Sequence, residues 1–269
     1  MSTTWLDLAI ALSLCLACST LGFWRVVYFV SLSYALSIAA QALVFGAIFR
    51  ASLGGWPLVQ CVLLFAYGLR LGSYLLVRAQ SPGFQKELQS AREHGQNASV
   101  ALKATIWVGV SLLYMILFLP ALLTMAAQAR GLVVWSSPAG VVVMAMGLLL
   151  EGVADSQKSH FKRKHPERFC DIQLYRIVRC PNYLGEIIFW FGVWLAGSAS
   201  AQTLLERGSA SLGFLCIVAI MLGATRRLES KQAARYGSDP RYVAYASTVP
   251  VLFPLVPLYS LCKAVPPAE

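Results

Sequence analysis

Long apolar runs limit what this chain can fold into more than any other feature. Stretches of roughly 20 residues with almost no charge occupy positions 5–23, 26–49, 56–77, 104–126 and 132–154, and shorter ones follow at 181–201 and 204–224. Only 13% of the 269 residues are charged and 58% are hydrophobic, where soluble domains carry about 25% charged residues. A water-soluble fold leaves much of its side-chain surface exposed and cannot hide this much apolar material. A bilayer can. In hydrocarbon only helices and closed barrels satisfy the backbone, and the period-two alternation of a barrel strand is missing from these runs. The sequence therefore predicts an all-α, polytopic membrane protein with about seven transmembrane helices. The stretch 248–262 is apolar too, but Pro250, Pro254 and Pro257 break it, so it is expected to lie at the membrane interface rather than to span.

The basic residues orient these helices. Arg50, Arg130 and Arg207 fall in loops on the side of the N-terminus, and Arg70 falls inside the third run. All the remaining Lys and Arg lie on the other side: Arg25, Arg78, Lys86, Arg92 and Lys103, then the stretch from Lys158 to Arg179, then the chain after Ala224. The positive-inside rule places the N-terminus outside and the C-terminus in the cytoplasm. The net charge of +10 thus reports topology, and no basic soluble domain is available for nucleic acid. The first run lacks a basic leader and a clear cleavage site, so it is read as a permanent helix. Seven cysteines, mostly within the runs, do not form a disulfide framework. No metal site is expected at Cys15-x-x-Cys18, which has no histidine nearby. The glycosylation pattern Asn97-Ala98-Ser99 falls on the cytoplasmic side and is expected to be unused.

Ionisable residues gather at the cytoplasmic ends of the later helices. Glu151, Asp155, Ser159 and Lys162 are spaced four, four and three apart, on one face of a helix that continues out of the fifth run. An acid at the end of a membrane span is costly without a partner or a task. Lys162-Arg163-Lys164-His165 follows, read either as membrane anchoring or as a phosphate-binding cluster. In Arg179-Cys180-Pro181-Asn182-Tyr183-Leu184-Gly185-Glu186, Pro181 suits the first position of a helix. The free N–H groups there attract anions. Asn182, Glu186 and Trp190 share one face of that helix, and Gly185 permits close approach to its backbone. Tyr67, Arg70 and Tyr74 share a face in the third run, where an embedded arginine calls for a carboxylate, carbonyls or a phosphate. Arg226, Arg227, Glu229, Arg235, Tyr236, Arg241, Tyr242 and Tyr245 suit either a nucleotide or lipid headgroups. G-x-G, H-E-x-x-H and G-x-S-x-G do not occur, which excludes the Rossmann and P-loop frameworks, the usual zinc-protease helix and the hydrolase elbow.

The residues Asp155-x-Gln157, Arg179-x-Pro181-Asn182-Tyr183-x-Gly185-Glu186 and the ending Glu229-x-Lys231, Arg235-Tyr236-Gly237, Tyr242, Tyr245, Pro250 resemble the steroid 5α-reductase C-terminal family. The closest resemblance is to its bacterial-type branch of multi-pass proteins, DUF1295. The resemblance covers roughly residues 65–257. It implies a seven-helix membrane fold in which NADPH enters from the cytoplasm and the C=C bond of a hydrophobic enone, a steroid or similar lipid, is reduced. It assigns Asp155, Lys162, Arg179, Asn182, Tyr183, Glu186, Trp190, Arg227, Glu229 and Tyr242 to the cofactor, with Arg70 beside them, and Tyr67 to polarisation of the substrate carbonyl. A phenol so placed stabilises a developing enolate, and basic loops would neutralise the cofactor phosphates.

Three departures stand out. Cys180 replaces the family's usual histidine. Gln173-Leu174-Tyr175 replaces the common Gly-Leu-Trp. The glutamate that the steroid enzymes set against their tyrosine has no counterpart in the first two helices, where Gln41 is the mid-helix candidate. Two other readings stand beside reduction: an S-adenosylmethionine-dependent membrane methyltransferase of the isoprenylcysteine type, which shares an Arg-x-Pro-x-Tyr loop, and a catalytically lapsed protein of the same fold.

Organisation is expected as one integral membrane domain over residues 1–269. Two apolar helices fill 1–55, three more fill 56–154 around a cytoplasmic loop at 79–103, and residues 155–269 form the cofactor-binding part. The expected partners are the lipid bilayer and a hydrophobic small molecule, with no nucleic acid and no identified protein partner. The expected location is the inner membrane in a bacterium or the endoplasmic reticulum in a eukaryote.

Overall fold

The computed structural model describes residues 5–80 and 99–262, so Lys86, Arg92 and Asn97 lie outside it. Among the described residues there is helix and no strand. The helices are α1 (Trp5–Ser19), α2 (Leu21–Trp24), α3 (Leu32–Ile48), α4 (Gly55–Ala79), α5 (Val100–Ala129), α6 (Ser137–Lys164), α7 (Pro181–Gly197), α8 (Leu204–Tyr236) and α9 (Pro240–Thr248), with 3-10 turns at Val26–Val30 and Gln173–Arg176. Five segments are long and apolar enough to cross a membrane: Trp5–Trp24, Gly55–Ala79, Val100–Ala129, Ser137–Lys164 and Leu204–Tyr236. The protein is thus an all-helical, multi-pass membrane protein.

Two boundaries differ from the expected spans. The second run does not form one helix from residue 26. Its first five residues wind as a 3-10 turn, and Ser31, at φ −122° and ψ −87°, breaks the path before α3. Val26, Val27 and Val30 are β-branched and weaken an α-helical start there. The α3 helix is left with 17 residues, about 25 Å against a hydrocarbon core of about 30 Å. In contrast, α8 outruns its apolar stretch by more than ten residues, while α6 continues to Lys164 as the spacing from Glu151 to Lys162 predicts. The residues beyond, among them Gln157, Lys158, Lys162, Arg227, Glu229 and Lys231, are strong helix formers.

The chain divides into two compact units, Met1–Val142 with Val193–Phe214, and Val143–Gly192 with Leu215–Glu269. In the first unit, α3 and α4 meet along a seam of small residues. A Cβ on Gly68 would stand 2.6 Å from the Ala35 carbonyl oxygen, so the two backbones touch there. Cys61 Sγ donates to Ala42 O at 3.2 Å farther along the same seam. Close backbone approach of this kind is the usual glue between helices in lipid. Pro120 lies inside α5. It cannot donate to the Ile116 carbonyl one turn back, and Gly213 packs at that carbonyl, where a Cβ would come within 3.0 Å. Gly131, at φ +77°, ends α5: its N–H reaches Gln128 O and the Leu132 N–H reaches Ala127 O, closing a Schellman turn.

The second unit is held by a tyrosine-rich cluster. Phe169 stands 5.9, 5.3 and 5.2 Å from the rings of Tyr236, Tyr242 and Tyr245. Asp239 caps α9 by accepting from Arg241 N at 2.9 Å, with Pro240 in the first helical position. After α9 the proline-rich stretch is not helical, as its composition predicts. It runs back along the chain before α7, where Arg179 N donates to Pro250 O at 2.9 Å and Cys180 N to Val251 O at 3.0 Å.

Candidate functional sites

In the second unit α7 begins at Pro181 and packs antiparallel against α6. A Cβ on Gly185 would come within 2.6 Å of Glu151 N, and one on Gly147 within 2.4 Å of Phe189 N. Gly185 is therefore small because the α6 backbone fills the space beside it; the close approach expected there is helix packing. Continuing this register places Asp155 level with Pro181 and beside Asn182. Glu151, Asp155 and Glu186 are 3%, 6% and 8% exposed, and each interacts with a neighbouring group. Asn182 is half-buried, and its Oδ1 is buried without a hydrogen-bond partner. Tyr183 is half-buried, while Trp190 is fully buried with its ring edge-on to Phe189 at 5.4 Å. The contact of Gly185 with Glu151 thus brings α6 and α7 alongside each other where both helices carry buried acids.

Three of the expected cofactor residues are engaged in holding the chain together. Lys162 Nζ donates to Tyr236 Oη at 2.8 Å, to Pro166 O at 3.3 Å and to Arg168 O. Arg179 is buried and pairs with Glu229 at 3.0 Å, and it also donates to Tyr259 O. The other Glu229 oxygen accepts from Leu261 N at 2.9 Å. Arg179 and Glu229 therefore form a clasp that fastens the proline-rich tail to α8. Tyr242 is buried beside this clasp, and burial raises its phenol above the usual value. Tyr245 donates to Tyr175 O at 2.7 Å and is raised for the same reason. Burial also pushes the Cys180 thiol up to about 11, so it stays protonated. Arg227 is exposed on α8. Arg235 bonds Glu167 at 2.7 Å and lowers that carboxyl.

The turn that precedes the clasp bears on one sequence departure. Gln173 sits at φ +48°, in the left-handed region that favours glycine. The resemblance puts a common glycine at this place. The turn is held to α6 by Leu174 N donating to Gln157 Oε1 at 3.3 Å and by Tyr175 Oη donating to Ala154 O at 3.3 Å.

In the first unit Tyr67 is fully buried on α4. Its hydroxyl lies 2.9 Å from that of Tyr34 on α3. Arg70 and Tyr74 follow on the same face of α4, both half-buried. Gln41, also on α3, commits its Nε2 to Ser37 O at 3.2 Å and Tyr114 O at 3.3 Å. Tyr34 and Tyr114 carry no motif and were not singled out in the sequence. The signal available was their position among apolar residues, with Tyr34 two turns from Gln41 on one helix face. Among the described residues no group of three or more His, Cys, Asp or Glu side chains is placed to hold a metal.

The family model for proteins of unknown function DUF1295 matches residues 24–249. The chain belongs to this family. Comparison with curated proteins and with solved structures gave no match. The DUF1295 match takes in α3 to α9, and with them the acid patch, the clasp and the tyrosine pair, and leaves out α1 and most of the tail.

Proposed function

We propose that this DUF1295 protein is an NADPH-dependent membrane reductase acting on the C=C bond of a hydrophobic enone, as its resemblance to the steroid 5α-reductases implies. In this reading the chain crosses the bilayer seven times, with the N-terminus outside and the cofactor reached from the cytoplasm. The reading rests chiefly on Asn182. Its buried, uncommitted amide oxygen lies in the first turn of α7, a helix that also carries the buried Glu186, where a carboxamide or ribose hydroxyl would supply the missing donor. NADPH would supply the hydride. Asp155, Asn182, Tyr183 and Glu186 would hold its polar groups, and the exposed Arg163, Arg226 and Arg227 would meet its phosphates. Lys162, Arg179 and Glu229 would shape that site by holding the loops around it. Tyr67 would polarise the substrate carbonyl.

Thermal denaturation of the detergent-purified chain tests the reading. NADPH at a hundred times its Kd should add about 2.7 kcal/mol, a rise of about 5–10 °C for a chain of this size. Glu186→Ala should remove most of that rise. Stabilisation by S-adenosylmethionine and not by NADPH overturns the reductase in favour of the methyltransferase.

A further inference from the structure

Arg50, Arg130 and Arg207 are the basic residues on the side where α1 begins, the side from which the positive-inside rule removes arginine. The fold brings two of them to one loop, the turn between α7 and α8. Arg130, which follows α5, donates from Nη1 to Gln202 Oε1 at 3.4 Å. Arg207, in the first turn of α8, donates from Nε to Ala201 O at 3.1 Å. Leu8 of α1 packs against Ala201 as well. The loop itself is held firmly. Ser136 Oγ, just before α6, donates to Ala196 O at 2.9 Å and accepts from Ala199 N at 3.3 Å. Glu206 accepts from Gln202 N at 2.7 Å and from Thr203 N at 3.0 Å, while Thr203 Oγ1 accepts from Glu206 N at 3.1 Å, a capping box that fixes the start of α8. The bonds that hold the two arginines here go to neutral oxygens, so they leave both positive charges in place.

Three further donors at this place lack an acceptor. Ser137 and Ser200 are 2% and 3% exposed, and the Oγ of each is buried without a hydrogen-bond partner. Arg130 Nε is buried without one too. Ser137 and Ser200 each lie one residue beyond the contact that Ser136 makes with Ala199. A Cβ on Gly140 would stand 2.2 Å from Ala196 N, so the start of α6 and the end of α7 touch. A buried donor without an acceptor is costly. Two guanidiniums, two hydroxyls and the positive end of the α6 dipole all favour an anionic oxygen. The surroundings indicate what carries it. Val133, Trp135, Leu204 and Leu205 are exposed around the loop, and large apolar side chains beside arginine suit the boundary between acyl chains and headgroups. We propose that Arg130 and Arg207, with the hydroxyls of Ser137 and Ser200, hold the phosphate of an anionic phospholipid in the leaflet on the side where α1 begins. The phosphate oxygens accept from both guanidiniums, and the acyl chains lie along Leu204 and Leu205. Such a lipid ties the end of α5 to the start of α8. It is independent of the reductase reading.

The test titrates the full chain in neutral detergent with phosphatidylglycerol, with phosphatidylcholine and with inorganic phosphate, and follows the melting temperature. Phosphatidylglycerol should raise it saturably, by about 5–10 °C at a hundred times its Kd. Phosphatidylcholine should raise it less, and inorganic phosphate should leave it unchanged. Arg207 is exposed, so Arg207→Gln should fold as the wild type does and bind phosphatidylglycerol about fivefold more weakly. Arg130→Gln should weaken it at least as much. Arg50→Gln removes the third arginine of that side, which follows α3 rather than standing at this loop, and should leave the affinity unchanged. Ser200→Ala removes a hydroxyl that the lipid-free chain leaves unpaired. It should keep or raise the lipid-free melting temperature and still weaken the lipid, a combination that a purely structural serine would not give. If Arg130→Gln fails to fold, Arg207→Gln and Ser200→Ala carry the test. Equal responses to phosphatidylglycerol and phosphatidylcholine overturn the proposal. So does an Arg50→Gln variant that loses as much affinity as Arg207→Gln, since the effect is then general surface charge. A rise with inorganic phosphate as large as that with phosphatidylglycerol overturns the lipid in favour of a free anion.

Discussion

Replacing Glu229 by glutamine tests whether the clasp is a structural fastening. Arg179 and Glu229 pair at 3.0 Å, with side chains 3% and 10% exposed. Removing one partner from a buried pair leaves an uncompensated charge and costs about 3–5 kcal/mol. Glutamine keeps the shape and can still accept from Leu261 N, so the lower end, about 3 kcal/mol, is expected. That is a large part of a total stability of about 5–15 kcal/mol. It should lower the melting temperature by about 6–12 °C. The loss should also be local. Hydrogen exchange should accelerate at the amide of Leu261, which loses an ionised acceptor, and at Val251, whose N–H donates to Leu258 O within the same tail at 2.9 Å. Adding Arg179→Met removes the stranded cation. It should restore most of the melting temperature while Leu261 still exchanges faster than in the wild type, a coupling that a double-mutant cycle reads directly. If Glu229→Gln melts with the wild type and Leu261 exchanges no faster, the pair does not fasten the tail and the reasoning fails.

Two further outcomes follow from the packing and the buried ionisable groups. Gly185→Ala puts a Cβ within 2.6 Å of the α6 backbone and should cost about 1–3 kcal/mol, whereas Gly109→Ala, with nothing within 4 Å, should gain up to about 1 kcal/mol; equal melting shifts would contradict the close α6–α7 contact. The Cys180 thiol is raised from 9.0 to about 11, so the folded chain holds that proton where the unfolded chain has lost it. Its contribution is present below about pH 9 and fades by about 1.4 kcal/mol per pH unit up to about pH 11. Tyr242 and Tyr245, raised by burial, add in the same direction at higher pH. Melting curves between pH 8 and 11 for wild type and Cys180→Ala should diverge at low pH and converge at high pH, and parallel curves would count against a buried thiol.

Period and composition made the helices legible because a membrane span declares itself locally. Each long apolar run needs only its own residues to be recognised. The differences fall where a local rule competes with another: Ser31 and the valines before it shorten α3, and polar helix formers carry α8 past its apolar end. The face shared by Glu151 and Asp155, and the helix start at Pro181, were legible for the same local reason. The pairings across the sequence were not. The resemblance assigns Arg179 and Glu229 to the cofactor, and nothing local in the sequence shows that each pairs with the other.

The tyrosine pair shows the limit most clearly. The resemblance implies a carboxylate opposite Tyr67, and in the first two helices the sequence offers Gln41 as the mid-helix candidate. A phenol is invisible to that comparison, since tyrosine is common in membrane helices and its hydroxyl declares no partner. What selects Tyr34 is the contact of Gly68 with Ala35, two small residues whose meaning appears only when the backbones touch. In a bilayer, a neutral hydroxyl pair between helices costs less to bury than a carboxylate.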